Sequence, residues 1–163
     1  MKCERFEQLP VWQAAIDLAA AVYAMTEVPP FRGRYSLRDQ IERAAVSVSN
    51  NIAEGFERGS KQELLTFLYI ARGSAGEVRS MLCLLEKIPV FADLESGILN
   101  LKSSVESISK QLGAWIRTLG DSDQKGDRYV NDRTRRAGMA RKDRGEFLKE
   151  LERNRNVGQP KAA

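Results

Sequence analysis

The last of four apolar repeats in the chain, within residues 94–119, runs through eight positions at alternating steps of four and three. This spacing keeps one side of an α-helix apolar along its length and favours packing against other helices at a shallow angle. Residues 11–25, 41–56 and 64–85 carry repeats of the same kind. Because the connections are short, neighbouring helices should run antiparallel. The pattern predicts an all-α fold, an up-down-up-down four-helix bundle over residues 1–119.

Local signals predict where these helices begin and end. Ser36 and Asp93 are candidate N-caps of the second and fourth helices. Gly59 should end the second helix, and Ser60 with Glu63 has the spacing of a capping box that opens the third. So short a connection predicts that the second and third helices form an antiparallel hairpin.

The positive charge of the chain is concentrated at its end. Basic and acidic residues are equal in number within residues 1–119, so the net charge of +4 comes from residues 120–163. We interpret residues 120–163 as a basic C-terminal extension, a charged linker followed by a short helix. One small apolar side cannot stabilise that helix in isolation, so it needs the bundle, a second subunit or a partner. That side is formed by Phe147, Leu148 and Leu151.

The composition argues against catalysis and against metal binding. The chain has no histidine, which removes the commonest general base and the commonest transition-metal ligand. Cys3 and Cys83 lack metal-site spacing, and no nucleophile stands beside a recognisable base. We therefore expect no enzyme activity and no cofactor. Neither a signal-type start nor an apolar run of eighteen residues occurs, so we expect a cytoplasmic protein without a membrane role.

The second predicted helix carries an unusual polar stripe beside its apolar one. In a hairpin turning at Gly59, Ser47 should lie near Arg72, and Arg43 near Glu77. We predict a structural polar layer that fixes the register of the second and third helices. A polar site for a ligand or nucleic acid and a subunit contact remain alternatives. The layer comprises Arg43, Ser47, Asn50, Glu54, Arg72 and Glu77.

Basic residues at both ends of the bundle and in the extension are candidates for nucleic-acid contact. Phosphate binding sums over contacts, so repeated small patches can act together. The bundle candidates are Arg32, Arg34 and Arg38 at one end, with Arg58 and Lys61 at the other. The candidates in the extension are Arg133, Arg135, Arg136, Arg141, Lys142 and Arg144.

The segments "VWQAAIDLA" and "LRDQIERAAVSVSNNIAEGFERGSKQELLTFLYIARGSAGEV" resemble the bacterial four-helix bundle family that includes the 23S rRNA intervening-sequence proteins. The resemblance covers residues 6–119 and implies a homopentamer. A related branch, the accessory variability determinant of diversity-generating retroelements, binds a reverse transcriptase and its template RNA. The extension beyond residue 120 departs from typical members. The motif positions are Asn50, Glu54, Gly55, Arg72, Gly73, Ser74 and Glu77.

These observations lead to two functional hypotheses. The first is a non-enzymatic, homopentameric RNA-binding accessory protein, assisting a reverse transcriptase of a diversity-generating retroelement or a structured ribosomal RNA. The second is a protein-interaction scaffold whose C-terminal helix docks on a partner protein, with no nucleic-acid role.

Overall fold

A computed structural model describes residues 3–121 of the chain, and residues 122–163 lie outside the described part. The described residues form a ring of four helices in which α2 packs on α1 and α3, and α4 packs on α3 and α1. The predicted four-helix bundle is confirmed, with α4 reaching two residues beyond the predicted end. The helices are α1 (Pro10–Thr26), α2 (Tyr35–Glu57), α3 (Lys61–Leu85) and α4 (Glu95–Asp121).

The predicted apolar stripes form the core. Every stripe residue of α2 and α3 is buried, from Ile41 and Leu64 at one end of each stripe to Phe56 and Leu85 at the other. In α1 the buried side is formed by the apolar repeat of residues 11–25. On another side of α1, Ile16 is 40% exposed and Tyr23 43%.

The turn between α2 and α3 follows the predicted chemistry. Gly59 has φ of 77°, a left-handed conformation that suits glycine after a helix C-terminus. The backbone amide of Glu63 donates to Ser60 Oγ at 3.2 Å, and the Ser60 hydroxyl donates to the Glu63 carboxylate at 2.6 Å. This local pairing starts α3 immediately after the turn and makes α2 and α3 a hairpin.

The other two predicted caps are wrong. Ser36 is the second residue of α2, and Asp93 lies inside the 3-10 helix Pro89–Leu94 that precedes α4. The buried rings of Phe31 and Phe91 are 4.7 Å apart and hold both connections against the core. No side-chain hydrogen bond caps the start of α2, and α4 follows the 3-10 helix directly.

We call the contact surface of α2 and α3 the α2–α3 seam. Small side chains let the two helix backbones approach closely there. A Cβ added to Gly55 would come 2.7 Å from Phe67 Cβ. Farther along, Ser47 Oγ and Ser74 Oγ share a hydrogen bond of 2.9 Å, and Asn51 Nδ2 donates to the Ser47 carbonyl at 2.7 Å. Small and polar residues are tolerated inside α2 because they permit this approach and satisfy one another.

Candidate nucleic-acid interface

The α2–α3 turn carries a cation that is already paired. Arg58 donates to Glu54 at 2.6 Å and lies 3.7 Å from Glu63, while its guanidinium stands 5.2 Å from the centre of the Phe67 ring. The hydrogen bond to Glu54 and the nearby carboxylates raise the pKa of Arg58. Two carboxylates therefore offset the charge that was predicted to contact nucleic acid here.

The opposite end of the bundle shows the same compensation at its central arginine. Arg38 donates to Glu42 at 2.8 Å and also to Glu27, which together raise its pKa. Glu42 additionally accepts a hydrogen bond from the buried Thr26. Arg38 thus belongs to a local network that ties the start of α2 to the end of α1.

The remaining predicted contacts differ in their placement. Arg34 donates to the Pro30 carbonyl at 2.7 Å and lies over the Phe91 ring, whereas Arg32 is exposed and Lys61 is half-buried. The predicted contacts of the extension lie outside the described residues. They are Arg133, Arg135, Arg136, Arg141, Lys142 and Arg144.

The predicted polar layer differs from the observed α2–α3 seam. Only Ser47 is half-buried there, and it pairs with Ser74 rather than with Arg72. Arg43 is exposed and lies 3.7 Å from Asp39 on its own helix. An open groove of about 870 Å³ along the outer face of α2 is lined in part by Arg43, Asn50 and Glu77. Glu54 is exposed beside Arg58, and Arg72 turns toward α4.

A denser cation cluster, which the sequence analysis did not predict, lies between α3 and α4. We call this feature the basic groove; its volume is about 310 Å³. It contains four basic side chains and one acidic one. The lining residues are Arg72, Arg79, Glu106, Ser109, Lys110, Gly113 and Arg117.

The antiparallel register of α3 and α4 arranges the cations in two tiers. Lys102 Nζ of α4 binds the carboxylate of Glu86, the residue after α3, at 2.8 Å. This pair shows which residues of the two helices lie at the same level. Seven residues before Glu86 lies Arg79, which is level with Lys110 on α4. Seven residues further back lies Arg72, which is level with Arg117. Seven residues correspond to about 10 Å along a helix. The first tier is Arg72 and Arg117, and the second tier is Arg79 and Lys110.

Gly113 forms the floor of the basic groove at the first tier. A Cβ added there would lie 3.6 Å from Arg72 Cζ and 3.6 Å from a terminal nitrogen of Arg117. Both guanidinium groups therefore lie over the same buried glycine. A long side chain at this position would occupy the space that the two arginines now line.

The two tiers differ in their charge compensation. At the second tier Lys110 binds Glu106 at 2.9 Å, and this hydrogen bond lowers the pKa of Glu106, with a smaller contribution from Arg79. At the first tier, neither Arg72 nor Arg117 forms an ion pair with any residue in 3–121. Two adjacent guanidinium groups without a carboxylate form a strong site for an anion.

The sequence contained a signal for the basic groove. Arg72 and Arg79 are spaced by seven residues, as are Lys110 and Arg117, and both pairs lie beside the apolar stripes of their helices. Equal spacing on two antiparallel helices brings such pairs level. Pairing residues across α3 and α4, as was done for α2 and α3 across the turn at Gly59, would have predicted this arrangement.

Two further properties of the described residues concern metal ions and membranes. Among residues 3–121, no group of histidine, cysteine or acidic side chains has the arrangement of a metal site. None of the described helices has the length and apolar character needed to cross a membrane.

Comparison with known proteins identifies the family. No curated protein matches the chain. Residues 7–114 match the family model described as 23S rRNA-intervening sequence protein, and the match includes α1, α2, α3 and most of α4. Because this match covers most of the chain and the fold is the expected helical bundle, the protein belongs to the 23S rRNA-intervening sequence protein family.

Proposed function

We propose that this protein is a non-enzymatic, cytoplasmic RNA-binding accessory protein that holds RNA phosphates in the basic groove. The observation that carries the proposal is the first tier, where Arg72 and Arg117 lie together without an acidic partner in the described residues. The family description, which refers to a ribosomal RNA intervening sequence, supports RNA as the polyanion. Phosphate contacts carry no base information, so sequence preference is weak.

Self-assembly multiplies the effect of each groove. The family resemblance suggests a homopentamer, and the exposed apolar residues Ile16 and Tyr23 of α1 provide surface for subunit contact. Five copies of the basic groove on one particle bind a folded RNA far more tightly than one copy. The RNA is then either a structured ribosomal RNA or the template of a retroelement reverse transcriptase that the assembly assists.

The proposal is tested by removing the first tier and measuring RNA affinity. The double variant Arg72→Gln with Arg117→Gln is compared with Arg43→Gln with Lys87→Gln, which removes the same charge from exposed positions outside the basic groove. Full-length protein is titrated into a structured RNA at low salt, with fluorescence anisotropy as the readout. Charged hydrogen bonds contribute about 1.5–3 kcal/mol each, so we expect at least about a tenfold loss for the groove variant alone.

An equal loss in both double variants would contradict the use of the groove. Light scattering on the same samples gives the subunit number with and without RNA. A pentamer that gains mass with RNA and releases it in high salt supports the accessory role. Absence of RNA binding, with salt-insensitive capture of a partner protein that depends on Phe147, Leu148 and Leu151, would support the scaffold hypothesis instead.

A further inference from the structure

We propose that the basic groove is a receptor for the terminal phosphate of a single-stranded RNA, held by Arg72 and Arg117 over Gly113. This inference rests on the proposed RNA-binding function and specifies which part of an RNA the site takes. It makes the groove a reader of RNA ends rather than a general backbone contact.

The charges of the two tiers match the charges at the end of an RNA strand. A terminal phosphate monoester carries about −1.5 to −2 charges near neutral pH, whereas each internal phosphodiester carries one. The first tier presents two guanidinium groups, and neither is paired with a carboxylate of the described residues. At the second tier Glu106 cancels one of the two cationic charges, because it binds Lys110. The doubly charged terminal group therefore fits over Gly113 at the first tier, and an internal phosphate with one charge fits beside Arg79 at the second tier.

The size of the groove favours a strand end over a duplex. The basic groove is an open surface groove of about 310 Å³, so a phosphate with part of its nucleotide can lie in it. A double helix can only lie across the opening. The tiers are about 10 Å apart, so a strand end spans both tiers within a few nucleotides.

The absence of histidine makes the pH dependence of binding informative. The chain lacks histidine, the side chain whose ordinary pKa lies between pH 5 and 7, whereas the second pKa of a phosphate monoester is about 6. The groups facing the ligand are Arg72 and Arg79 from α3 with Glu106, Lys110 and Arg117 from α4. Lys110 lowers the pKa of Glu106, so this carboxylate stays ionised across the interval. A preference for phosphorylated RNA should therefore increase from pH 5 to 7 as the ligand loses its second proton.

The test uses one single-stranded oligoribonucleotide in three forms: 5′-phosphorylated, 3′-phosphorylated and with hydroxyl groups at both ends. Each is titrated with the full-length protein and followed by fluorescence anisotropy. We expect at least one phosphorylated form to bind about tenfold more tightly than the hydroxyl form. Which arm gains affinity identifies the end that enters. Equal affinities of all three forms would overturn the inference and leave the proposed function standing, while failure of all three and of structured RNA to bind would overturn both.

Variants assign the effect to the first tier. Arg117→Gln should abolish the preference for the phosphorylated form, whereas Arg79→Gln should weaken all three forms and keep the preference. Gly113→Leu fills the floor without changing any charge and should abolish the preference, while Gly113→Ala places its Cβ at an ordinary contact distance of 3.6 Å and should keep it. Unfolding curves confirm that each variant is folded. A preference that survives both Arg117→Gln and Gly113→Leu would overturn the assignment.

Discussion

Helix α3 packs against a buried glycine on each of its two neighbours, Gly55 on α2 and Gly113 on α4. The two glycines have different roles. At the α2–α3 seam, Gly55 allows Phe67 to approach so closely that an added Cβ would lie 2.7 Å from the Phe67 Cβ. At the basic groove, the contacts to an added Cβ at Gly113 are 3.6 Å and longer, and they come from the ends of arginine side chains. One glycine permits packing of the backbone, and the other keeps a charged groove open.

The difference separates stability from binding. The polar groups of the α2–α3 seam are satisfied internally, because Ser47 pairs with Ser74 and Asn51 donates to the Ser47 carbonyl. The basic groove has an excess of cations that the described residues do not compensate, with one carboxylate, Glu106, among four basic side chains. The first surface contributes to folding, and the second is available for an anion.

The largest expected effect contrasts the two glycines in stability. Gly55→Ala should lower the free energy of unfolding by about 1–2 kcal/mol, because overpacking costs about 1–3 kcal/mol and exceeds the helix-propensity gain of about 1 kcal/mol. Gly113→Ala should raise it by up to about 1 kcal/mol, since its Cβ meets only ordinary contacts. Urea unfolding followed by circular dichroism measures both. Stabilisation by both substitutions would show that the two positions are equivalent.

A smaller effect is expected from the serines of the two surfaces. Ser74→Ala removes the hydrogen bond to Ser47 and should cost about 1 kcal/mol of unfolding free energy. Ser109 lies in the basic groove, and its hydroxyl forms no hydrogen bond with residues 3–121, so Ser109→Ala should change the unfolding free energy by no more than about 0.5 kcal/mol. The same unfolding assay compares them. Equal losses would mean that the groove, too, is held together by polar contacts.

Neutralising a carboxylate should affect RNA affinity at one surface only. Glu106→Gln releases Lys110 and removes the acidic side chain of the basic groove, so RNA affinity should rise by about two- to fivefold for one added charge contact. Glu54→Gln releases Arg58 at the turn and should leave affinity unchanged. Anisotropy titrations at fixed salt decide between them. A larger gain from Glu54→Gln would place RNA at the end of the bundle.

The smallest expected effect is on the free energy of unfolding at acidic pH. The pKa of Glu106 is lowered by the hydrogen bond from Lys110, so this pair stabilises the fold above the ordinary glutamate pKa and loses that contribution as pH falls through the lowered value. Because the pair is exposed, its contribution is small. Lys110→Gln should therefore make unfolding slightly less sensitive to pH below about 4.5, the ordinary glutamate value. Unchanged acid sensitivity in this variant would show that the ion pair does not stabilise the subunit.

Much of the fold could be predicted because its signals are local or periodic. Apolar stripes repeat along single helices, and Ser60 with Gly59 sets the hairpin within a few residues. The starts of α2 and α4 were mispredicted from capping residues; Phe31 and Phe91 pack together beside both starts, and a contact between residues so far apart in sequence is not a local signal. Polarity at Arg43 and Asn50 suggested a buried layer, but these side chains lie on the outer face of α2.

The basic groove was missed because it depends on two helices at once. Arg72 and Arg117 are far apart in sequence; Arg72 was assigned to a polar layer facing the second helix, and Arg117 was not singled out. The contacts predicted at Arg38 and Arg58 remain predictions. Part of their compensation was readable from the sequence, because Glu42 and Glu54 each lie four residues away, whereas the pairing of Arg38 with Glu27 depends on the tertiary structure. Compensation between separate segments is a property of the tertiary structure and is not visible along one helix.

The most direct test of the central claim is a map of where RNA touches the protein. Full-length protein is bound to a structured RNA containing photoreactive uridines, irradiated, digested and analysed by mass spectrometry. RNA adducts should concentrate on the segments of α3 and α4 that line the basic groove, residues 72–79 and 110–117. Adducts confined to residues 32–38 or 58–61, with the groove segments unmodified, would contradict the account and return the interface to the ends of the bundle.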